Sequence, residues 1–233
     1  MFVLIHGGGH SSRCWEPLLP LLDAPALALD LPGRGVHPGQ LDEIHLSDWI
    51  DSAVADIERA DVADAVLVGH SMAGLSIPAI IDRTHERVRH VVFVSCAIPP
   101  DGGSLFDLLP PSVAEMANAA PRSSAGVSLN PDQVVAMQCY DMDEQQTAFT
   151  LQVVVPEAYW PVRDSVHLDG LRRPVTRTWI KLMRDRTFAP TLQDEMAARA
   201  GCTAAVEIDS GHSAMISHPR QLAAALNAIH DQG

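Results

Sequence analysis

The chain is short of positive charge. Sixteen lysines and arginines stand against 29 aspartates and glutamates, a formal net charge of −13 over 233 residues. A field of that sign repels phosphate backbones and anionic lipid headgroups, which argues against nucleic acid or a membrane surface as partner. Long apolar runs are missing as well. Nothing approaches the roughly 20 residues that a transmembrane helix needs. The chain opens on a strand-like Phe2-Val3-Leu4-Ile5 with no basic region before it, so no signal peptide is expected. Cysteine is sparse and scattered: Cys14, Cys96, Cys139 and Cys202 form no C-x-x-C pair. That spacing excludes the usual zinc cages and fits free thiols in a reducing cytoplasm. No metal or cofactor is expected, and there is no internal repeat or low-complexity tract.

What is present is an ordinary globular composition, with 47% hydrophobic and 19% charged residues, in a length that suits one domain with one sizeable core. Short apolar runs punctuate it. Phe2–Ile5, Ala26–Leu29, Ala65–Val68, Val88–Val94, Val175–Leu182 and Ala204–Ile208 read as strands. Between them Trp15 to Leu22 and Leu46 to Asp61 read as helices, the second with Ser47 as N-cap. A further helix begins at Leu75 and contains Pro78. Pro190 to Arg199 and Pro219 to Ile229 complete the set. Alternation of strand and helix implies right-handed crossovers. The expected fold is therefore α/β: a doubly wound, mostly parallel six-stranded sheet with helices on both faces. The alternation stops after about residue 98. Residues 99–174 are rich in Pro, Asp, Ser and Met and show only helical patches: Phe106 to Met116, Pro131 to Tyr140 and Glu144 to Val153. They read as a cap insertion into a core formed by residues 1–98 and 175–233.

The densest motif is Gly69-His70-Ser71-Met72-Ala73-Gly74, directly after the third strand. A serine on a sharp strand-to-helix turn has its hydroxyl lifted clear of the sheet, and small residues on either side let strand and helix pass closely. A tight structural corner has the same local composition, so the partners decide. A serine hydroxyl needs an imidazole to take its proton and a carboxylate to fix that imidazole's tautomer. In a doubly wound sheet both should lie just past later strand ends. His212 follows the last strand in a Gly/Ser loop. Of the other nearby histidines, His218 adjoins Pro219 and opens the final helix, His230 is terminal, and His70 should point away from Ser71. Asp185 follows the fifth strand, whereas Asp209 is too close in sequence to His212 to approach it from a separate loop. The N–H groups of Met72 and Gly8 are the candidate oxyanion donors. The Gly7-Gly8-Gly9 turn lacks the G-K-[S/T] of a phosphate loop.

These residues resemble the α/β-hydrolase superfamily along most of the chain. His6-Gly7-Gly8-Gly9 matches its oxyanion motif, Asp30-Leu31-Pro32-Gly33-Arg34-Gly35 a common loop, and the serine turn its nucleophile elbow, with Ala73 in place of the usual final glycine. More narrowly, the opening Phe2–Gly7 with His10 and Trp15, and Gly211-His212-Ser213-Ala214-Met215-Ile216-Ser217, are similar to the plant methylesterase and hydroxynitrile lyase group. The resemblance implies a serine hydrolase acting on a small carboxylic ester or lactone. It also keeps open a hydroxynitrile lyase on the same scaffold, or a non-catalytic small-ligand receptor. The (S)-selective lyases carry a threonine and a lysine where this chain has Gly7 and Ser213, which favours hydrolysis. His10 and, from the cap, Phe106, Met137, Tyr140 and Trp160 are candidate pocket residues. Some members of the group dimerise, so a homodimer is a further expectation.

Overall fold

The computed structural model describes residues 1–119 and 121–232. Six strands form one parallel sheet: β1 (Phe2–Ile5), β2 (Ala26–Leu29), β3 (Ala65–His70), β4 (Val88–Val94), β5 (Thr176–Leu182) and β6 (Ala204–Ile208). Their spatial order is β2-β1-β3-β4-β5-β6. The chain thus steps from β1 to one side, returns to β1's other side at β3, and continues outward. The order reverses between β1 and β3, and a crevice opens there at the carboxyl ends. Ile5 pairs with Gly69 at that point, so the turn after β1 and the turn after β3 leave the sheet side by side.

Alternate side chains build two cores. Val3, Ile5, Leu67, Val91, Phe93 and Trp179 face one layer of helices. Phe2, Leu4, Val66, Val68, Val92, Val94 and Ile180 face the other. The first layer holds α1 (Leu46–Arg59) and α2 (Ile77–Thr84), with Trp49, Ile57, Ile80 and Ile81 fully buried. The central strands are buried on both faces, which is why they read as unbroken apolar runs.

The described residues between β4 and β5 add no strand to the sheet. They form α3 (Pro111–Asn118), α4 (Pro131–Gln138) and α5 (Glu144–Val153), short 3-10 turns at Leu105–Leu108 and Asp169–Arg172, and a lone antiparallel bridge between Val127 and Glu157. Capping boxes start two of these helices: Asn130 with Gln133, and Asp143 with Gln146, each exchanging backbone-to-side-chain bonds of 2.8–3.0 Å. After β5 come α6 (Pro190–Arg199), α7 (Ala214–Ser217) and α8 (Pro219–His230). The buried Leu222, Leu226 and Ile229 of α8 cover the second core. No helix among the described residues is long and apolar enough to cross a membrane.

Several local expectations are corrected. The stretch Trp15 to Leu22 is two 3-10 turns, Ser12–Trp15 and Leu19–Leu21, because Pro17 and Pro20 remove the donors an α-helix needs there. Helix α1 starts at Leu46 with His45, not Ser47, as N-cap. The Asp164 carboxylate reaches back to accept the Leu46 N–H at 2.8 Å. The expected helix Phe106 to Met116 is broken by Pro110 and Pro111, and α4 ends at Gln138, short of Tyr140. Pro78 sits in the first turn of α2, where a missing N–H costs nothing.

Candidate active site

Ser71 follows β3 directly and holds φ at +52°, the left-handed region that side chains other than glycine rarely adopt. The surrounding small residues make the turn possible. A Cβ on Gly69 would lie 2.1 Å from Ile77 Cδ1, and one on Gly74 would lie 2.4 Å from the Ala97 carbonyl oxygen. Ala73's own Cβ sits 3.2 Å from the Gly69 Cβ position, so the absent side chain at 69 leaves it room. The second glycine, Gly74, lets the turn pass the segment after β4.

The hydroxyl of Ser71 lies 2.8 Å from His212 Nε2, and His212 Nδ1 lies 2.7 Å from Asp185 Oδ2. All three residues are buried. With the Nδ1 proton donated to Asp185, Nε2 is the lone-pair nitrogen facing the serine. Asp185 is well supplied with donors. Ser95 Oγ donates to Oδ2 at 2.7 Å, and the N–H groups of Thr187 and Phe188 donate to Oδ1 at 2.7 and 3.1 Å. Burial alone would raise this carboxyl's pKa. The charge and hydrogen bond of His212, with the bonds from Ser95 and Phe188, outweigh burial and hold it below its ordinary value. Asp209, the rival carboxylate, points outward and pairs with Arg184 at 2.9 Å.

The glycine turn after β1 packs against the serine turn. A Cβ on Gly7 would lie 2.8 Å from Ser71 Cβ, and one on Gly8 would lie 2.2 Å from Met72 Sδ. Two side chains distant in sequence hold this turn. Glu157 accepts the Gly9 N–H at 2.7 Å and pairs with the buried Arg34, whose Nη1 donates to the His10 carbonyl at 2.9 Å. A second pair of anchors grips the histidine loop. The Tyr140 hydroxyl oxygen accepts the N–H of His212 at 3.1 Å and of Arg186 at 3.0 Å, and Asp141 accepts the Gly211 N–H at 2.5 Å. His70 does not turn away. Its Nε2 donates to the His212 carbonyl at 2.8 Å, and the two rings are 4.7 Å apart.

A cavity of about 260 Å³ opens over Ser71. Gly8, Met72, His10, His70 and His212 form its floor. Leu105, Leu109, Val127, Leu129, Val154 and Phe188 make its walls predominantly apolar. Of the expected pocket residues, His10 and Met137 line it. Three others do not. Tyr140 serves the backbone bonds just described. Trp160 stacks on His45 at 5.0 Å and donates to the Asp42 carbonyl. Phe106 lies under the Arg163 guanidinium and lines an adjoining hollow that shares Leu105, Leu109, Val127 and Glu157 with the cavity. An aromatic residue in an irregular segment carries no periodicity to say which way it faces, so these three were unreadable. Sequence reasoning also missed Ser95, Arg34 and Glu157. Ser95 had a signal, since it sits one residue past β4 at the same sheet edge. Glu157 had none. Among the described residues no group of three or more His, Cys, Asp or Glu is arranged to hold a metal ion.

The chain belongs to the alpha/beta hydrolase family, whose model matches residues 2–225. Among curated relatives, it is 24% identical to methylesterase 17 of Arabidopsis thaliana over 94% of this chain and 87% of that protein. It is 27% identical to esterase PIR7B of Oryza sativa subsp. japonica over 95% and 92%. Among solved structures, an extracellular alpha/beta-hydrolase from a Paenibacillus species superposes with a TM-score of 0.85 at 19% identity, covering 97% of this chain and 96% of the other. Tomato methylketone synthase I superposes at 0.81 and 22%, over 99% and 97%. The fold is thus that of the family, and the two curated relatives named are plant esterases.

Proposed function

We propose that this chain is a serine hydrolase of small, mostly uncharged carboxylic esters or lactones. The observation that carries the reading is the run of two short contacts, Asp185 to His212 to Ser71, ending in an apolar cavity. As Ser71 Oγ bonds to the ester carbonyl carbon, its proton passes to His212 Nε2. The buried Asp185 carboxylate stabilises the imidazolium that results. The carbonyl oxygen, now negative, is held by the N–H groups of Gly8 and Met72. Collapse breaks the bond to the alcohol, which leaves with the proton from Nε2. Water then gives a proton to the same nitrogen, attacks the acyl group and frees Ser71. Support for hydrolysis over cyanohydrin cleavage comes from two positions. A threonine at Gly7 would drive its Cβ into Ser71, and Ser213 is wholly buried where a lysine would be required.

Ser71→Ala tests the reading. Hydrolysis of p-nitrophenyl acetate is expected to fall by about 10³-fold or more, and labelling by a fluorophosphonate probe is expected to vanish. A folded Ser71→Ala protein that kept the parent rate would remove the mechanism.

A further inference from the structure

The cavity over Ser71 has mostly apolar walls, with Ser71, Thr187, Glu157, His70 and His212 also lining it. Three lining groups carry a buried polar atom without a partner, and one of these, His70 Nδ1, lies against the glycine turn, 2.9 Å from where a Gly7 Cβ would be. His10 is 1% exposed, lines the cavity, and neither of its ring nitrogens makes a well-formed hydrogen bond, though the Gly8 carbonyl lies close enough to act on its pKa. Gln138, at the end of α4, lines the same cavity, and its side-chain oxygen is buried without a partner. Buried polar atoms are almost always satisfied, and one left bare costs on the order of a lost hydrogen bond. None of the polar side chains that share the cavity, Ser71, Thr187, Glu157 and His212, bonds to His10 or to the Gln138 oxygen. His10 is uncharged. Burial, then the nearby His212 and Arg34, push its pKa down to about 4, against a smaller opposing pull from the Gly8 carbonyl. A neutral imidazole presents one N–H and one lone pair, and the Gln138 oxygen presents only lone pairs. A ligand hydroxyl, which donates and accepts, can serve either.

We propose that His10 and Gln138 form a hydroxyl-reading subsite, so that the preferred substrates are esters or lactones bearing a free hydroxyl besides the scissile group. The proposal rests on the ester-hydrolase reading for the identity of the ligand. Its test does not depend on turnover. Binding of intact ethyl butanoate, ethyl 2-hydroxybutanoate and ethyl 3-hydroxybutanoate is measured by calorimetry on Ser71→Ala protein. At least one hydroxy ester is expected to bind about tenfold more tightly than ethyl butanoate. In the double variants carrying His10→Phe or Gln138→Leu as well, that preference is expected to shrink to about two- to threefold or less. Ethyl 3-oxobutanoate accepts but cannot donate, and should gain less than the better hydroxy ester. No preference for either hydroxy ester, an equal gain for the oxo ester, or a preference that survives both double variants would overturn the subsite. Should the His10→Phe protein fail to fold, Gln138→Leu, at a part-buried helix end, carries the decision. Absent fluorophosphonate labelling of the parent protein would instead count against the hydrolase reading and leave these binding ratios interpretable.

Discussion

Tyr140→Phe separates a positioning role from a pocket role. The phenol oxygen lies outside the cavity and accepts two backbone N–H groups, one on the loop of His212 and one on the loop of Asp185. It therefore ties the loop of His212 to the loop of Asp185. Removing the oxygen leaves the part-buried His212 N–H without an acceptor, while the Arg186 N–H is exposed enough for water to replace the loss. With water replacing the Arg186 bond, the cost is that of one part-buried donor left unpaired, about 1–2 kcal/mol. Asp141 still holds Gly211, which keeps the loop near its place. Expressed wholly in the chemical step, that energy corresponds to a rate loss of about 5- to 30-fold. In a chain of this length it lowers Tm by about 2–8 °C. Because the phenol does not line the cavity, the loss should fall on kcat and leave KM within about twofold. Steady-state kinetics on p-nitrophenyl esters, with thermal melts of the same samples, give both numbers. A lower Tm with kcat unchanged would refute the positioning role and leave Tyr140 a structural strut. A KM rise with kcat unchanged would return it to the pocket wall.

Acid should weaken the fold in two windows. His10 has a folded pKa of about 4, below its unfolded value of about 6.5, so the unfolded chain binds the extra proton between those values. Its neutral-state stability is complete above pH 6.5 and is lost as pH falls toward 4, by up to about 3 kcal/mol. His6 and His70, lowered chiefly by burial, act in the same direction. Asp185 has a lowered pKa and loses its contribution only below the ordinary carboxylate value of about 3.9. Urea unfolding at pH 7.5, 5.5 and 4.5 checks the first window, and an unfolding free energy that stays level across it contradicts the neutral burial of these histidines. Glu157→Ala strips the partner from the buried Arg34 and frees the Gly9 N–H. It should cost about 3–5 kcal/mol of stability, and a loss under 1 kcal/mol would show that water reaches Arg34. Gly74→Ala places a Cβ 2.4 Å from the Ala97 carbonyl and 2.9 Å from Cys96 Cβ. It should destabilise by about 1–3 kcal/mol, and a change under 0.5 kcal/mol would mean the turn after β4 can yield.

What could be read from the sequence follows the range of the interactions involved. The strands were legible because a strand buried on both faces must be apolar throughout, and Val66 to Val68 or Val91 to Val94 can be little else. The elements that meet at the site were legible because a parallel sheet places every strand's exit at one edge, whatever the helices do between. Ser71, Asp185 and His212 needed only that rule. Ser95 obeyed the same rule and was passed over because it is not an acid or a base. What stayed hidden is held by bonds between residues far apart in sequence. Asp164 caps α1 across more than a hundred residues, and Glu157 grips Gly9 across a similar gap. Neither leaves a local trace, since an exposed acidic residue in an irregular segment looks the same with or without a distant donor. Tyr140, Trp160 and Phe106 were misplaced for a related reason: the residues between β4 and β5 have neither the two-residue alternation of a strand nor a long helical period. Yet this segment supplies Tyr140, Asp141 and Glu157, which fix the backbones of the histidine loop and the glycine turn. The loops after β1, β5 and β6 that meet Ser71 are thus each held in part by bonds from outside the sheet. The edge of the sheet determines which groups meet, and the segment laid over it determines how closely they do.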